Sequence, residues 1–211
     1  MIKCNVIADV ADMRGKSVLV LLQPMRPLRN MLIHAWQVLD LSAHASASFY
    51  FDPVISAKVS ITRASSGNII RSASENIAPG VLLQAVRPGG LSPKLEPCAD
   101  RTAIARLTPK QSGIYNRTNP PIPIDCCWQV GGNPVASVLD VDWGMTSTFE
   151  YTPALHFLIT EALQQGDNYT AQAFTGSTPY VPALDTSVLN VHIRRERDRW
   201  SFTFVPDWGE G

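Results

Sequence analysis

The stretch that decides the predicted fold is Met31-Leu32-Ile33-His34-Ala35-Trp36-Gln37-Val38-Leu39-Asp40-Leu41. It is the longest nearly unbroken apolar run in the chain. In an extended conformation both of its faces are mostly apolar, because successive side chains of a strand point to opposite sides. A strand that is apolar on both faces must be covered on both sides. We therefore predict that this stretch is the central strand on which the other segments pack.

The polar side chains inside this run are the first functional hint. His34, Gln37 and Asp40 would need hydrogen-bond partners if they were buried. His34 and Asp40 share one face with Trp36, but at about 3.3 Å per residue they lie roughly 20 Å apart on a straight strand. They are therefore not predicted to bond to each other. If the shared face borders a cavity, His34 and Trp36 are the residues to consider first.

Other segments carry strand patterns with clear ends. The run from 16 to 22 is rich in Val and Leu and is stopped by Pro24. Apolar and polar residues alternate from Ile55 to Thr62, which predicts the clearest half-buried strand. Gly131-Gly132-Asn133-Pro134 separates Cys126–Val130 from a second apolar run, and such a turn predicts a hairpin.

The second half of the chain also contains short strand patterns separated by turns and loops. Thr148 to Ile159 fits a strand and a helical face, and we predict a strand through Ile159. Tyr169 to Phe174 is predicted as a strand, whereas Pro88 to Asp100 is predicted as a long surface loop. Two closing strands are predicted around the charged turn from 194 to 199, where His192 and Glu196 could pair locally or remain solvated.

No stretch carries a long helical pattern with a cap at each end. We therefore predict an all-β fold with little helix, an antiparallel two-sheet β-sandwich of jelly-roll type. One domain is expected to cover residues 1–211, because the strand rhythm is similar on both sides of the proline-dense segment Asn119–Ile124.

Composition excludes some classes of protein. With 18 Lys plus Arg and 18 Asp plus Glu, the formal charge is zero, which does not favour a nucleic-acid partner. Only 17% of the residues are charged, so electrostatic repulsion between copies is weak and a homo-oligomer is expected. The first residues lack the apolar segment of a secretory signal, which predicts a cytoplasmic protein unless a leader has been removed. The four cysteines are expected to be free thiols, with one of Cys126 and Cys127 facing inward and the other outward.

The sequence predicts no metal site and no cofactor. The four histidines lack the spacing of a zinc motif. Gly15-Lys16-Ser17 resembles the end of a phosphate loop, but Val10 occupies the position where that motif needs its first glycine. Asp140, Asp142 and nearby Glu150 could hold calcium or serve sugar chemistry, although solvated acids at the end of a hairpin are the favoured interpretation.

Aromatic residues near turns carry the leading functional hypothesis. We expect a non-redox, lectin-like ligand-binding protein that recognises a glycan or a small apolar ligand through aromatic and amide side chains at one end of the sandwich. Core packing is the alternative role for each aromatic side chain. The predicted ligand-binding residues are Trp36, Trp128, Gln129, Trp143 and Tyr151.

Two other classes of function stay open, and the sequence does not decide whether the chain is an enzyme. One is a cofactor-independent cyclase, isomerase or hydrolase that uses His34 or Asp142 as acid or base in an interior pocket. The other is a membrane-binding, toxin-like sandwich, suggested by aromatic loops and low charge. A membrane is not the partner that we expect first.

Overall fold

The computed structural model describes residues 1–10, 13–25, 30–41, 45–62, 67–161, 164–169, 177–183, 185–197 and 199–207, with the backbone only at 151, 168 and 169. The chain is 59% strand and 4% helix, with several antiparallel sheets that pack against each other. The predicted all-β sandwich is confirmed. Within the described ranges, no helix is long and apolar enough to cross a membrane.

The elements before residue 100 are β1 (Ile2–Ala8), β2 (Ser17–Pro24), β3 (Met31–His34), β4 (Gln37–Asp40), β5 (Ser46–Phe51), β6 (Ile55–Thr62), β7 (Ile69–Arg71), β8 (Glu75–Asn76), β9 (Leu82–Val86), a 3₁₀ turn (Pro88–Gly90) and β10 (Lys94–Pro97). Those after it are α1 (Arg101–Ile104), β11 (Ser112–Asn116), β12 (Ile124–Val130), β13 (Asn133–Val141), β14 (Thr146–Phe149), β15 (Tyr151–Thr160), β16 (Asn168–Tyr169), β17 (Thr178–Tyr180), β18 (Val188–Glu196) and β19 (Arg199–Asp207).

The chain forms two compact units. Unit 1 contains Met1–Gln23, His34–Pro53 and Thr152–Gly211, and unit 2 contains Pro24–Ile33 and Val54–Tyr151. Each unit holds two sheets. The assignment of residues 1–211 to one domain stays a prediction.

Unit 1 is built from the sheets β19-β18-β1-β5 and β17-β15-β2-β4. The β1 and β18 strands run parallel, whereas β1 with β5 and β18 with β19 are antiparallel. Aromatic side chains join the two sheets, because the ring centroid of Phe157 in β15 lies 5.9 Å from that of Phe202 and 5.4 Å from that of Phe204 in β19. This contact places the core of the unit between its sheets.

The predicted central strand from Met31 to Leu41 is wrong, because the run divides into β3 and β4. The backbone of Ala35 leaves the ladder: its N–H donates to the Asp167 carbonyl at 3.0 Å, and its carbonyl accepts from the Gly166 N–H at 3.0 Å. Trp36 then enters the core, with edge-to-face contacts to Phe49 and Phe51. The run is mostly apolar because it contributes strands to two different sheets, and β4 is an edge strand.

Unit 2 contains a sheet with the order β3-β13-β12-β6-β7, in which β8 also pairs with β6, and a second sheet with the order β10-β9-β11-β14. The alternating burial of β6 confirms the predicted half-buried strand. Trp128 of β12 stacks on Phe149 of β14, with ring centroids 5.2 Å apart and an interplanar angle of 14°. This pair joins the two sheets at the centre of the unit.

The β12–β13 hairpin confirms the predicted turn. Gly131 and Gly132 both have positive φ values, 58° and 81°. A two-residue turn of this kind needs left-handed backbone at both positions, and glycine adopts it without a steric penalty.

Four other predictions have different outcomes. The two closing strands are confirmed by β18 and β19. The strand predicted from Thr148 through Ile159 is confirmed from Tyr151 onward by β15, but it is interrupted at Glu150, and Thr148 belongs to β14 in a different sheet. The loop prediction for Pro88 to Asp100 is wrong in part, because β10 pairs with β9 and buries Leu95. The prolines of this segment led to the loop prediction, but an edge strand can contain proline. Of the strand predicted from Tyr169 to Phe174, residues 170–174 lie outside the described ranges.

Candidate functional site

Two predicted ligand-binding tryptophans are core residues. The side chains of Trp36 and Trp128 are 1% and 0% exposed, and both contact phenylalanine rings. Gln129 is also buried, where its Oε1 accepts from Ser74 Oγ at 2.7 Å and its Nε2 donates to the Gly132 carbonyl at 2.8 Å. The amide of Gln129 is thereby held by the hairpin turn and by the segment between β7 and β8.

Trp143 is the predicted aromatic residue that the structure places at the surface. Its side chain is 48% exposed, in the turn between β13 and β14. Gln129 lies at the other end of the hairpin, paired with Pro134, and β13 spans roughly 23 Å from there to Val141 at about 3.3 Å per residue. The two side chains therefore do not converge. Tyr151 begins β15, and its side chain lies outside the described set.

The two predicted acid–base residues belong to different units. His34, in unit 1, is buried, and its Nδ1 lies 3.5 Å from the Gly166 carbonyl. Asp142, in unit 2, is exposed in the turn, where its carbonyl accepts from the Met145 N–H at 3.0 Å. Neither unit contains both residues.

The acidic residues near Trp143 do not gather into a cation site. Asp125 Oδ1 accepts from the backbone N–H of Asp140 at 3.0 Å, so this carboxylate supports the backbone of the hairpin. Asp140 itself has a φ of 52°. In the part of the chain that the structure describes, no group of three or more His, Cys, Asp or Glu side chains could hold a metal ion.

The best-formed surface feature around Trp143 is a stack of two rings and one cation. The Cζ atom of Arg117 lies 5.5 Å from the ring centroid of Tyr115 and 5.5 Å from that of Trp143. Such cation–π contacts hold the guanidinium group at both rings. We name Tyr115, Arg117 and Trp143 the aromatic–arginine site.

The backbone holds this site in place. The Asn116 N–H donates to the Met145 carbonyl at 2.9 Å, and the Gly144 N–H donates to the Asn116 carbonyl at 2.9 Å. Gly144 has a φ of 78°, which lets the turn that carries Trp143 close beside β11. These bonds fix the distance between Trp143 and the end of the strand that carries Tyr115.

Asn116 is also the buried centre of the adjoining loop. Its Nδ2 donates to the carbonyls of Ile122 and Val141 at 2.7 and 2.9 Å, and its Oδ1 accepts from Thr118 N and Oγ1 at 3.1 and 2.9 Å. One amide thus satisfies polar groups on both sides of the loop that follows Arg117.

This arrangement can bind a flat or partly apolar ligand. The exposed area of Trp143 offers an aromatic face, and Arg117 offers several hydrogen-bond donors. Asp142 lies next to Trp143 in the chain and can accept hydrogen bonds from hydroxyl groups. The exposed side chain of Met145 adds apolar area.

Sequence reasoning missed Arg117 and left Tyr115 out of the predicted site. A weak signal was present, because residues i and i+2 of an extended chain point to the same side, and Arg117 directly follows the end of β11. The distance of Tyr115 and Arg117 from Trp143 depends on the pairing of β11 with β14, which no local pattern reveals.

A second polar cluster lies in unit 1. His192 Nδ1 lies 3.2 Å from both carboxylate oxygens of Asp9, and Arg194 Nε donates to Asp9 Oδ2 at 3.2 Å. The hydrogen bond with His192 is the main cause that lowers the pKa of Asp9, and Arg194 adds to it. The structure pairs His192 with Asp9 rather than with Glu196, because β1 and β18 are adjacent parallel strands.

The cysteines are free, as expected. Cys126 is buried and Cys127 is half-buried, which confirms the predicted inward and outward pair. Burial raises the pKa of both thiols and raises that of Cys4 to about 12. A thiol with a raised pKa is a poor nucleophile at neutral pH.

Comparison with protein-family models, with curated proteins and with solved structures finds no match for this chain.

Proposed function

We propose that the protein is a non-redox ligand-binding β-sandwich protein that recognises a glycan at the aromatic–arginine site. The observation that supports this proposal is Trp143, which is 48% exposed while the tryptophans of both cores are buried. The indole of Trp143 contacts Arg117 and still leaves nearly half of its surface exposed to water. Its role is then expected to lie in binding.

The chemistry of the site fits a sugar ring. The C–H face of a sugar packs on the indole of Trp143, while its hydroxyl groups bond to Arg117 and Asp142. Arg117 is already held by two rings, so little side-chain freedom is lost when a ligand binds. Preorganisation of this kind favours a recognition site.

The proposal includes a cytoplasmic protein that acts as a homo-oligomer, without cofactor and without a nucleic-acid partner. Balanced charges, 18 of each sign, support self-association more than binding to a polyanion. Sedimentation velocity at two protein concentrations tests the oligomer. A single monomer species at both concentrations contradicts it.

A glycan array followed by tryptophan-fluorescence titration of the hits tests the binding function. The Trp143→Ala variant should lose binding at least about 10-fold, and Trp143→Phe should retain part of it because an aromatic face remains. Tyr50→Ala, which removes an exposed ring from unit 1, is the matched control and should bind normally. No hit on the array would overturn the proposal, and a thermal shift from lipophilic ligands would then favour a small apolar ligand in place of a glycan.

A second candidate function is a cofactor-independent acid–base enzyme. The favouring observation is the Asp9–His192 pair, in which a carboxylate orients an imidazole at 3.2 Å and leaves Nε2 for a substrate. Hydrolysis of activated esters should then depend on His192 and not on His156. Equal rates in the His192→Ala and His156→Ala variants would exclude this candidate.

The toxin-like alternative uses the same exposed surface. Trp143 and Met145, 48% and 60% exposed, would be the residues that enter a bilayer. Leakage of anionic and neutral vesicles separates this function from glycan binding. Leakage that is abolished by Trp143→Ala would replace the glycan proposal with the membrane one.

A further inference from the structure

Unit 2 also has a concave surface that shares no residue with the aromatic–arginine site. It is a cleft of about 340 Å³ between the segment that joins β7 to β8 and the segment that leads into β10. Arg71, Glu75, Ser92 and Lys94 supply its polar side chains, and Pro93 and Leu95 supply its apolar lining. The two walls come from different sheets, so the cleft lies at an open edge of the unit 2 sandwich.

Hydrogen bonds hold both walls of the cleft in place. On one wall, the Ser72 N–H donates to the Val59 carbonyl at 2.8 Å, the Val59 N–H donates to Ser72 Oγ at 3.0 Å, and Ser74 Oγ bonds to buried Gln129. On the other wall, β10 pairs with β9, and Arg87 Nε donates to the Leu91 carbonyl at 2.9 Å. The cleft is therefore formed before any ligand binds, which lowers the entropic cost of binding.

The charged side chains of the cleft take little part in the fold. Arg71, Glu75 and Lys94 are exposed, and in the described part of the chain their side chains form no hydrogen bond or ion pair with another residue, although the charge of Arg71 acts on nearby Cys127. Two cations and one carboxylate give the cleft a net charge of +1. Like charges held in one concave surface repel each other, and an anion between them relieves that repulsion.

We propose that this cleft binds a small phosphorylated ligand that also carries hydroxyl groups, of the sugar-phosphate class. Arg71 and Lys94 bind the phosphate, since guanidinium and ammonium groups both form charge-assisted hydrogen bonds with its oxygens. Glu75 accepts hydrogen bonds from ligand hydroxyl groups, and Ser92 adds a donor. Pro93 and Leu95 contact the carbon skeleton. The proposal does not depend on the glycan site.

Isothermal titration at low ionic strength, with glucose 6-phosphate, inorganic phosphate and glucose as probes, tests this assignment. Glucose 6-phosphate should bind with a dissociation constant of about 1 mM or tighter, phosphate more weakly, and glucose without saturation. Salt should weaken binding, because the phosphate contacts are electrostatic.

Matched variants make the test specific. Arg71→Ala and Lys94→Ala should each weaken glucose 6-phosphate binding about 10-fold or more. Lys110→Ala and Arg106→Ala remove exposed cations of the same unit outside the cleft and should leave binding unchanged. Glu75→Gln should tighten inorganic phosphate binding and reduce the preference for glucose 6-phosphate, since it removes a repelling charge and replaces one of the two acceptor oxygens by a donor.

Three results would overturn the proposal. The first is no saturable binding of either phosphate by the wild-type protein. The second is equal affinity in the Lys94→Ala and Lys110→Ala variants, which would indicate nonspecific attraction. The third is a Glu75→Gln variant in which phosphate and glucose 6-phosphate affinities do not change.

Discussion

At the scale of single residues, Trp128 combines a large packing contribution with one polar defect. Its indole is fully buried against Phe149, while its Nε1 has no hydrogen-bond partner among the described residues. We expect Trp128→Ala to lower the free energy of unfolding by about 3–5 kcal/mol because it leaves a cavity. Trp128→Phe should cost less, under about 2 kcal/mol, since it keeps a stacked ring and removes the unpaired donor.

Urea denaturation measures both changes. Trp143→Ala is the matched control, because it truncates an exposed tryptophan of the same unit and should cost less than about 0.5 kcal/mol. Equal destabilisation by Trp128→Phe and Trp128→Ala would contradict the expectation that a phenylalanine ring preserves most of the packing.

His156 links stability to pH. Burial lowers the pKa of this half-buried imidazole, so the unfolded chain binds a proton more readily than the folded one. Its contribution to stability is therefore complete above the unfolded pKa of about 6.5 and is lost as the pH falls through the window below it. Urea midpoints measured across this window should fall more steeply for the wild type than for His156→Gln, and parallel curves would refute the linkage.

At the scale of elements, the β12–β13 turn is expected to depend on its two glycines. Both have positive φ, and a Cβ at either position would meet no other atom within 4 Å, so any cost comes from the backbone conformation alone. Gly132→Ala should cost about 1–2 kcal/mol, and Gly131→Asn should cost less because asparagine tolerates the left-handed region. Thermal denaturation compares them, and an Ala variant as stable as the wild type would exclude backbone strain.

Local sequence patterns correctly predicted the elements whose structure depends on adjacent residues. The alternation in β6, the hydrophobic run of β2 and the glycine turn after β12 each encode their own structure. The break between β3 and β4 is not encoded in this way, because it depends on hydrogen bonds from Ala35 to residues more than a hundred positions later. The short β10 strand depends in the same way on its pairing with β9.

The candidate sites show the same difference between features set by local sequence and features set by distant contacts. Trp143 could be predicted because it lies beside a glycine in a turn. The burial of Trp36 and Trp128 could not be predicted, since the local sequence does not distinguish an aromatic residue in a core from one beside a turn. The cleft of Arg71 and Lys94 joins segments from two sheets, and no spacing in the sequence brings them together.

At the scale of the whole molecule, the chain passes between the two units at four points, after residues 23, 33, 53 and 151. No single continuous segment contains all of unit 2. A fragment of residues 54–151 would lack β3, whose pairing with Ala136, Ser137 and Val138 covers one side of β13. We expect this fragment to be less stable than a chain in which residues 24–33 are joined to it by a flexible linker.

Circular dichroism during urea denaturation compares the two fragments. The linked chain should unfold at a higher urea concentration, since β13 regains its neighbour. Identical midpoints would mean that β3 contributes little to unit 2, and the unit would then be defined by Val54–Tyr151 alone.

The amide of Asn116 determines which substitution the adjoining loop tolerates least. It donates two hydrogen bonds and accepts two at a buried position. An aspartate would keep the shape of the side chain, but a carboxylate cannot donate, so a negative charge would face the carbonyls of Ile122 and Val141. The substitution Asn116→Asp would therefore release the loop that follows Arg117, although it changes no more than one group of one side chain.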